Sequence, residues 1–540
     1  MSFSHFDVVI VGGGAAGLTA AIGLARADFR VAVVEAAAFP GAENWSGCVY
    51  FTESLADPDI LGPEGVAALA WERRLVERGF FVTDGEALLG LTYRDPSAFQ
   101  HCWTVLRPIY DHHLGLIAQQ LGVALITKTT AESLLRDRGR VIGVCTNRGP
   151  LYADLTFLAE GDASYLVTRE GYERFTDPRE APKFLQGIKQ VMELPPGAIE
   201  ETFGVGAEEG VAYELVLRNA VFRGREVLLN MGGFVYTNRQ SLSIGLVLPL
   251  ENLAQNFAGD PNLLMEWFEQ LPVLRPWWRE GRRGVFGAKL IRGGGARDIP
   301  RLIDHGLAIG GAASAIGIDF PYPNFTGPAT AMGKLLVQAA RRIRAEGGEF
   351  TATALRRYYL EPLEQTPAWH DVHFLQHWPA YVQGTRVFFG ANVDLLLGSA
   401  RIWTEPGRWW PSRWWRWVRL VRQAARPSQW AVFRQDWRQL ARAWHLRDIM
   451  GRPSLRRFLL DGTVNALRDL FRQPRVAVPT AGSLRVEFRR ADAAVVPPPA
   501  VLRRWFGRFA PVLAAAARRV YANTPEPLAS KLSAGVQLLL

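Results

Sequence analysis

The stretch "DVVIVGGGAAGLTAAIGLARADFRVAVVE", Asp7–Glu35, leaves this chain few folds to choose from. Val8–Val11 is apolar at every position, the pattern of a strand covered on both faces and therefore of a parallel sheet. Gly12, Gly14 and Gly17 follow at GxGxxG spacing, then a helix from Ala15, a second apolar strand, and Glu35 at its end. In that context one glycine makes the turn, one lets a diphosphate approach the backbone, and one lets the helix lie close on the strand. The amides around Gly14, Ala15 and Ala16 open the helix, where free N–H groups and the helix dipole favour an anion. A carboxylate at Glu35 is placed to accept ribose hydroxyls. The segment predicts a Rossmann-like dinucleotide-binding unit.

Two later segments return to the same place. "DLTFLAEGDASYLV" (Asp154–Val167) is a strand ending at Glu160, Gly161 and Asp162. "GLAIGGAASAIGIDFPYPNFTGPATAMGKLLVQAA" (Gly306–Ala340) is a strand, a small-residue turn around Gly311, and a long helix opening near Thr326, Gly327 and Pro328. Small residues at a strand end admit a ligand close to the backbone, and a helix start offers amides to an anion. Three returns suit a long extended ligand such as FAD better than NAD. Between them, "QGIKQVMEL", "AVFRGREVLLNMGGFVYTN" and "SLSIGLVLPL" alternate like antiparallel strands. They form a second domain that walls off the ligand and shapes an apolar pocket. Tyr236, Asn238 and Arg239 read as turn residues.

In combination these motifs, with "SGCVY" after the second strand and "VLRPIYDHHL" around Arg107, resemble the electron transfer flavoprotein–quinone oxidoreductases and their FixC-type relatives. The wider group includes the geranylgeranyl reductases, and the resemblance covers roughly residues 5–400. It implies non-covalent FAD in a glutathione-reductase-like fold, with a sheet domain over the isoalloxazine. It implies that Gly12, Gly14, Gly17 and Glu35 serve the adenosine and pyrophosphate, and that Arg107 lies near the ribityl and phosphate groups. Gly161 and Asp162 then belong to the second cofactor strand, while Thr326, Gly327 and Pro328 start the helix facing the pyrimidine edge. It further implies an electron transfer flavoprotein as donor, quinone as acceptor, and a small separate ferredoxin-like Fe–S protein. The sequence departs from the group at Gly310-Gly311-Ala312-Ala313-Ser314, where many relatives carry an aspartate.

The fold class expected is thus α/β (α+β). A FAD-binding domain would span 1–180 plus 285–345, an antiparallel-sheet catalytic domain 181–284, and a helical, membrane-facing region 346–540. The chain has only Cys48, Cys102 and Cys145, and no CxxC. A cluster held by cysteines alone needs more thiolates than that, and no disulfide framework is available, which fits a reducing, cytoplasmic compartment. Cys48 lies in the loop after the second strand, near the flavin in this family. In the prenyl reductases of the group a comparable cysteine is associated with protonating the reduced alkene, so Cys48 is the one catalytic candidate, beside the plainer reading of a half-buried apolar side chain. His370, His373 and His377 recur at i, i+3, i+7. With no supporting carboxylate or thiol they read as an amphipathic face, and no metal is expected.

The basic balance of the chain is local. Between Arg401 and Met450 there are 11 Arg, no Lys and 3 acids, a balance of 11 − 3 = +8, with 9 of the 18 tryptophans. On a helical wheel of Ser412–Arg426, Trp414, Trp417, Val418 and Val421 share one face and Arg416, Arg419 and Arg426 the other. Helices are expected from Gln429 to Met450 and Leu455 to Phe471, then a basic amphipathic segment, "VLRRWFGRFAPVLAAAARRVYA". No nucleic-acid module accompanies the charge. With no leader and no run of roughly 18 apolar residues, the expectation is a monotopic foot on the inner face of the cell membrane. Two functions follow. The first is electron transfer from an electron transfer flavoprotein to membrane quinone. The second is reduction of a geranylgeranyl-type alkene, in which Cys48 would matter; a flavin-dependent hydroxylase stands behind both.

Overall fold

The computed structural model describes residues 5–44, 47–174, 184–222, 225–293, 295–318, 323–385, 387–424, 434–436 and 438–442. Along the chain run β1 (His5–Val11), β2 (Val31–Val34), β3 (Gly47–Phe51), β4 (Arg74–Thr83), β5 (Leu88–Arg94) and β6 (Cys102–Leu106). Then come β7 (Ala124–Ile126), β8 (Ala131–Asp137), β9 (Arg140–Thr146), β10 (Gly149–Leu158), β11 (Phe184–Glu193) and β12 (Glu209–Leu217). A short ribbon, β13 (Val221–Phe222) with β14 (Arg225–Glu226), precedes β15 (Gly232–Thr237), β16 (Ser241–Pro249), β17 (Arg282–Arg292), β18 (Ile303–Asp304) and β19 (Leu307–Ile309).

The first sheet has eight strands, with the path β18-β19-β10-β1-β2-β7 and the β8–β9 hairpin attached to β10. β1 pairs in parallel with both β10 and β2, which is why Val8, Val9 and Ile10 are fully buried and none of them is polar. The helices Ala15–Arg26 and Thr326–Ala345 pack side by side against this sheet. A Cβ on Gly333 would stand 2.6 Å from the Ala16 carbonyl oxygen, so the two helices meet at backbone distance only because glycine is there.

The second sheet has nine strands, with the path β17-β11-β16-β15-β12-β4-β6-β3 and β5 on the edge of β4. Alternation gives it two faces. One buries Ile188, Val211, Leu215, Val235 and Ile244 under the helices Leu250–Asn256 and Asn262–Glu269, with Phe268 fully buried between them. The other face carries Ala212, Phe234 and Tyr236 under Val49 and Phe51 of β3. Its far end, Val82 and Val216, is covered by Phe389, Val393 and Leu397 from the C-terminal helical region.

The domain boundaries read from sequence need correcting. The second sheet is not the contiguous block 181–284: it takes β3–β6 from within 1–180 and runs on through β17 to Arg292. The cause is the parallel pairing of β4 with β12, Arg74 beside Glu209 through Thr83 beside Leu217, a long-range ladder that no local pattern announces. Within "AVFRGREVLLNMGGFVYTN" only the ends are strand, the ribbon and β15. Tyr236 lies within β15, buried, and Asn238 and Arg239 form the turn to β16.

Candidate functional site

The glycine loop between β1 and the helix Ala15–Arg26 is built around contacts that exclude side chains. Gly12 sits at φ +104°, where a Cβ would collide with the Ala159 carbonyl at the end of β10, and a Cβ on Gly17 would collide with the Gly12 carbonyl. Gly14, the cap of the helix, faces open space instead, with nothing within 4 Å of its would-be Cβ. The amides that open the helix behind it therefore have room for a diphosphate. Glu35 fixes the loop from the side, accepting from the amides of Gly13 (2.8 Å) and Ala37 (2.8 Å). Each carboxylate oxygen keeps a further lone pair for a ribose hydroxyl.

The other two returns meet this loop. Gly311, at φ +67°, opens the turn after β19, and a Cβ there would press on Ala16 at 3.0 Å. Thr326 begins the long helix, its hydroxyl 3.3 Å from the Val49 carbonyl of β3. The Gly327 amide donates to Asn324 Oδ1 at 3.1 Å, and Pro328 has no N–H. What this helix start offers a ligand is thus chiefly the field of its dipole. Gly161 and Asp162 follow β10, and Asp162 accepts from the Arg292 amide at the end of β17 at 3.0 Å. The Arg292 side chain is buried, its Nη2 donating to both carboxylate oxygens of Glu173 at 2.8 Å and its Nη1 to Ser164 Oγ at 3.0 Å. This joint fastens the second sheet to the end of β10.

Where the two sheets face each other, charged groups converge. Arg107, first residue of the helix Arg107–Gln120, grips the fully buried Asp111 one turn on, at 2.7 to 2.9 Å. Asn44 donates to Asp111 at 3.2 Å and accepts from Lys289 Nζ of β17 at 2.6 Å. Lys189 of the neighbouring β11 acts electrostatically on Cys48, Arg107, Lys289 and Asp162. Three cations thus gather around Asp111 and Asp162, with Glu43 also acting on Lys289. Cys48, which stands in β3 opposite Val105 rather than in a loop, is among them. Both lysines are held below the usual ammonium range, first by loss of hydration and then by the Arg107 charge. Burial pushes the Cys48 thiol up, with Arg107 and Lys189 opposing, so at neutral pH it is a protonated thiol. Loss of hydration likewise raises Asp162, against the Arg292 amide and the two lysines. The positive charge gathered here, next to the Asp162 turn that touches the Gly311 turn, suits an anionic, extended ligand.

Sequence reasoning missed Lys189, Lys289, Asn44 and Asp111. The two lysines come together only through the β11–β17 ladder, in which Lys189 pairs Gly287 and Lys289 pairs Gly187. Asp111 did carry a signal, its i+4 spacing from Arg107. The three histidines do not share one helix. His370 and His373 lie on Pro367–Phe374, while His377 caps the next helix, and His373 Nδ1 bonds the Trp369 carbonyl at 2.8 Å. Among the described residues no group of three or more His, Cys, Asp or Glu is arranged to hold a metal ion.

The amphipathic helix runs Trp410–Ala424 and pairs with Ala391–Thr404. Its arginine face is less uniform than the wheel implied: Arg416 turns back to Glu405, and Arg413 donates to the carbonyls of Trp403 and Glu405. Leu420 packs at Gly398, and Trp417 donates to Ser399 at 3.1 Å. Trp409, Trp410 and Trp415 stay 73%, 64% and 62% exposed. The helices expected at 455–471 and the segment 501–522 lie outside the described residues, as does most of 429–450. Among the described residues no helix is long and apolar enough to cross a membrane.

Residues 1–58 match the model of the Thi4 family. Over 394 residues the chain is 31% identical to the probable electron transfer flavoprotein-quinone oxidoreductase YdiS of Escherichia coli (strain K12), covering 72% of this chain and 88% of that protein. The chain belongs to this family. FixC of Shigella flexneri is 30% identical over 414 residues, covering 74% of this chain and 91% of FixC. Among solved structures, a geranylgeranyl bacteriochlorophyll reductase-like protein from Thermoplasma acidophilum superposes with TM-score 0.54 at 14% identity, over 78% of this chain and 98% of the other. A mutant of the halogenase PltM, in complex with FAD, gives 0.51 at 12%, over 74% of this chain and 80% of the other. At those identities the likeness is one of fold. The protein is an oxidoreductase of this family, and the open cradle at Gly14, the two helix starts and the cation cluster fit FAD.

Proposed function

We propose that this oxidoreductase takes electrons from an electron transfer flavoprotein and passes them to quinone in the membrane, working from the inner, cytoplasmic face. The relatives' names support donor and acceptor. The observation that carries the membrane part is the trio Trp409, Trp410 and Trp415, exposed indoles beside Arg408, Arg419 and Arg422, the composition of an interfacial anchor on anionic lipid. With no cysteine set for a cluster in the chain, a separate ferredoxin-like Fe–S protein is the partner to look for.

Bound FAD supplies the redox chemistry. In this reading the residues Gly12, Gly14, Ala15, Ala16 and Gly17 hold the pyrophosphate, and Glu35 accepts from the ribose. Arg107, anchored by Asp111, sets a fixed positive charge by the ribityl and phosphate groups. Gly161, Asp162 and Gly311 line the approach, and the helix at Thr326, Gly327 and Pro328 turns its positive end to the pyrimidine edge. Lys189 and Lys289 add positive charge where an electron-rich ring needs it. The second sheet keeps water from the ring, and the acceptor's protons come from solvent.

A second reading rests on Cys48. In that reading its protonated thiol, beside Arg107, gives the proton that a geranylgeranyl-type lipid reductase requires. Anaerobic mixing of the fully reduced holoenzyme with a short-chain quinone, or with a geranylgeranylated lipid, separates the two. Rapid reoxidation by quinone, unchanged in Cys48→Ala, is the expected result. Reoxidation by the lipid with a saturated product, lost in Cys48→Ala, would replace the first reading with the second.

A further inference from the structure

The cations gathered between the sheets are unevenly committed. Arg107 is locked on Asp111 at 2.7 to 2.9 Å, and Lys289 Nζ donates to Asn44 at 2.6 Å. Lys189, half-buried on β11, has no hydrogen bond or ion pair among the described residues. Its ammonium meets the Phe234 ring, whose centre is 6.0 Å from Nζ, the outer reach of a cation–π contact. The carboxylate it feels, Asp162, is already held by the Arg292 amide at 3.0 Å. A partly desolvated ammonium without a partner costs free energy, and an apolar side chain would complete this wall at lower cost. Packing alone does not account for a lysine here.

Register shows what surrounds it. β11 sends Ile188 into the core beneath the helices Leu250–Asn256 and Asn262–Glu269, so Gly187 and Lys189 lie on its other face. The residues beside Lys189 on the neighbouring strands are Gly245 of β16 and Gly287 of β17. Gly245 gives its place to Phe234, since a Cβ there would stand 2.5 Å from that ring. Gly187 lies against the lysine stem, its would-be Cβ 3.5 Å from Cε. Glycines thus adjoin Lys189 along and across the sheet, and none of them offers a side chain to pair with the ammonium. From this place it acts on Cys48 and Arg107, the groups that border the cofactor site.

Resting on the cofactor placement above, we propose that Lys189 is the counter-ion for the negative charge that FAD gains on reduction, and that Lys289 and Arg107 are not. A pair of electrons from the donor and a single proton from solvent leave the ring with net negative charge, and Lys189 keeps its own proton throughout. Of the clustered cations, Lys189 alone can turn its N–H donors to a new acceptor without giving up a bond. A cation already in place when the charge arrives need not be recruited from solvent.

The test compares FAD-loaded wild type, K189M, K189R and K289M by two readouts that need no turnover. The first is the midpoint potential, by anaerobic equilibration with a reference dye. The second is the affinity for sulfite, which adds to the oxidised ring through its sulfur lone pair, places negative charge there and bleaches the visible band. K189M should bind reduced FAD less tightly relative to oxidised FAD by about tenfold, the value of one charge-assisted hydrogen bond. For a two-electron couple that is a potential lower by about 30 mV. Sulfite affinity should fall by a similar factor, K189R should recover most of both, and K289M should change them less. If K189M fails to retain FAD, K189Q removes the same charge and should show the same losses. Wild-type potential and sulfite affinity in the neutral variants would overturn the assignment, as would a larger shift in K289M. Wild-type protein that takes up no FAD would overturn the cofactor placement itself. FAD-loaded wild type that quinone does not reoxidise would overturn the electron-transfer reading; the shift in K189M would then still support Lys189 as counter-ion.

Discussion

Replacing Arg292 by Met tests the joint between the sheets. The side chain is 2% exposed and its partner Glu173 8%, with two contacts of 2.8 Å and a third of 3.0 Å to Ser164. The backbone amide to Asp162 survives the substitution, so the experiment isolates the guanidinium. Methionine fills most of the same volume, so the lost ion pair, rather than a cavity, sets the size of the effect. Removing one member of a buried pair costs about 3–5 kcal/mol, because the remaining ion is desolvated without compensation. R292M/E173L removes that ion as well and should come back to within about 2 kcal/mol of wild type. Urea unfolding followed by tryptophan fluorescence measures both, and flavin release along the same titration reports whether the cofactor site opens with the joint. A loss below about 1 kcal/mol for R292M, the size of an exposed pair, would refute the reasoning. So would a double variant no better than the single.

Two further outcomes follow from the geometry. Gly333→Ala gains about 1 kcal/mol of helix propensity, but its Cβ would sit 2.6 Å from the Ala16 carbonyl, and prising the two helices apart costs about 1–3 kcal/mol. A lower melting temperature with weaker FAD retention is expected, and a stabilised variant would show that the helices have slack. Asp298 is raised to about 6, by loss of hydration first, with Glu173 adding and Arg292 opposing. Its folded form holds the proton more tightly than the unfolded chain, so its contribution is complete below about pH 4 and is lost as the pH rises through 6. Denaturation midpoints at pH 4.5 and pH 7 should therefore differ less in Asp298→Asn than in wild type, and an identical pH dependence would remove Asp298 from the account.

How much of this was readable in the sequence depended on how local each cause is. The β1 run, the glycine loop and Glu35 were legible because their constraints act within one turn or strand, and β11 and β16 because alternation marks them. The parallel β4–β12 ladder was not, since "RLVERGFFVT" and "EGVAYELVL" carry no sign that they lie side by side. The same holds for Lys189 and Lys289, each an ordinary lysine in its own strand and a pair only across the β11–β17 register. The wheel drawn for 412–426 identified an amphipathic helix, but it assumed a helix alone in solvent. Glu405 and Gly398, on the preceding segment, decide that Arg416 and Leu420 turn toward that segment.

The split origin of the second sheet has a consequence for synthesis. β4 leaves the ribosome long before β12, its parallel neighbour, exists. At about 5–20 residues per second the wait is on the order of ten seconds. Through that interval Val76 and Phe81, destined for full or near-full burial, have no sheet to cover them, and the whole of β7 to β10 must be made in between. Non-local parallel pairing of this kind is slow to form and prone to aggregation while it waits. Yield of active protein should then depend on holdase chaperones and growth temperature more than on the stability of the finished fold.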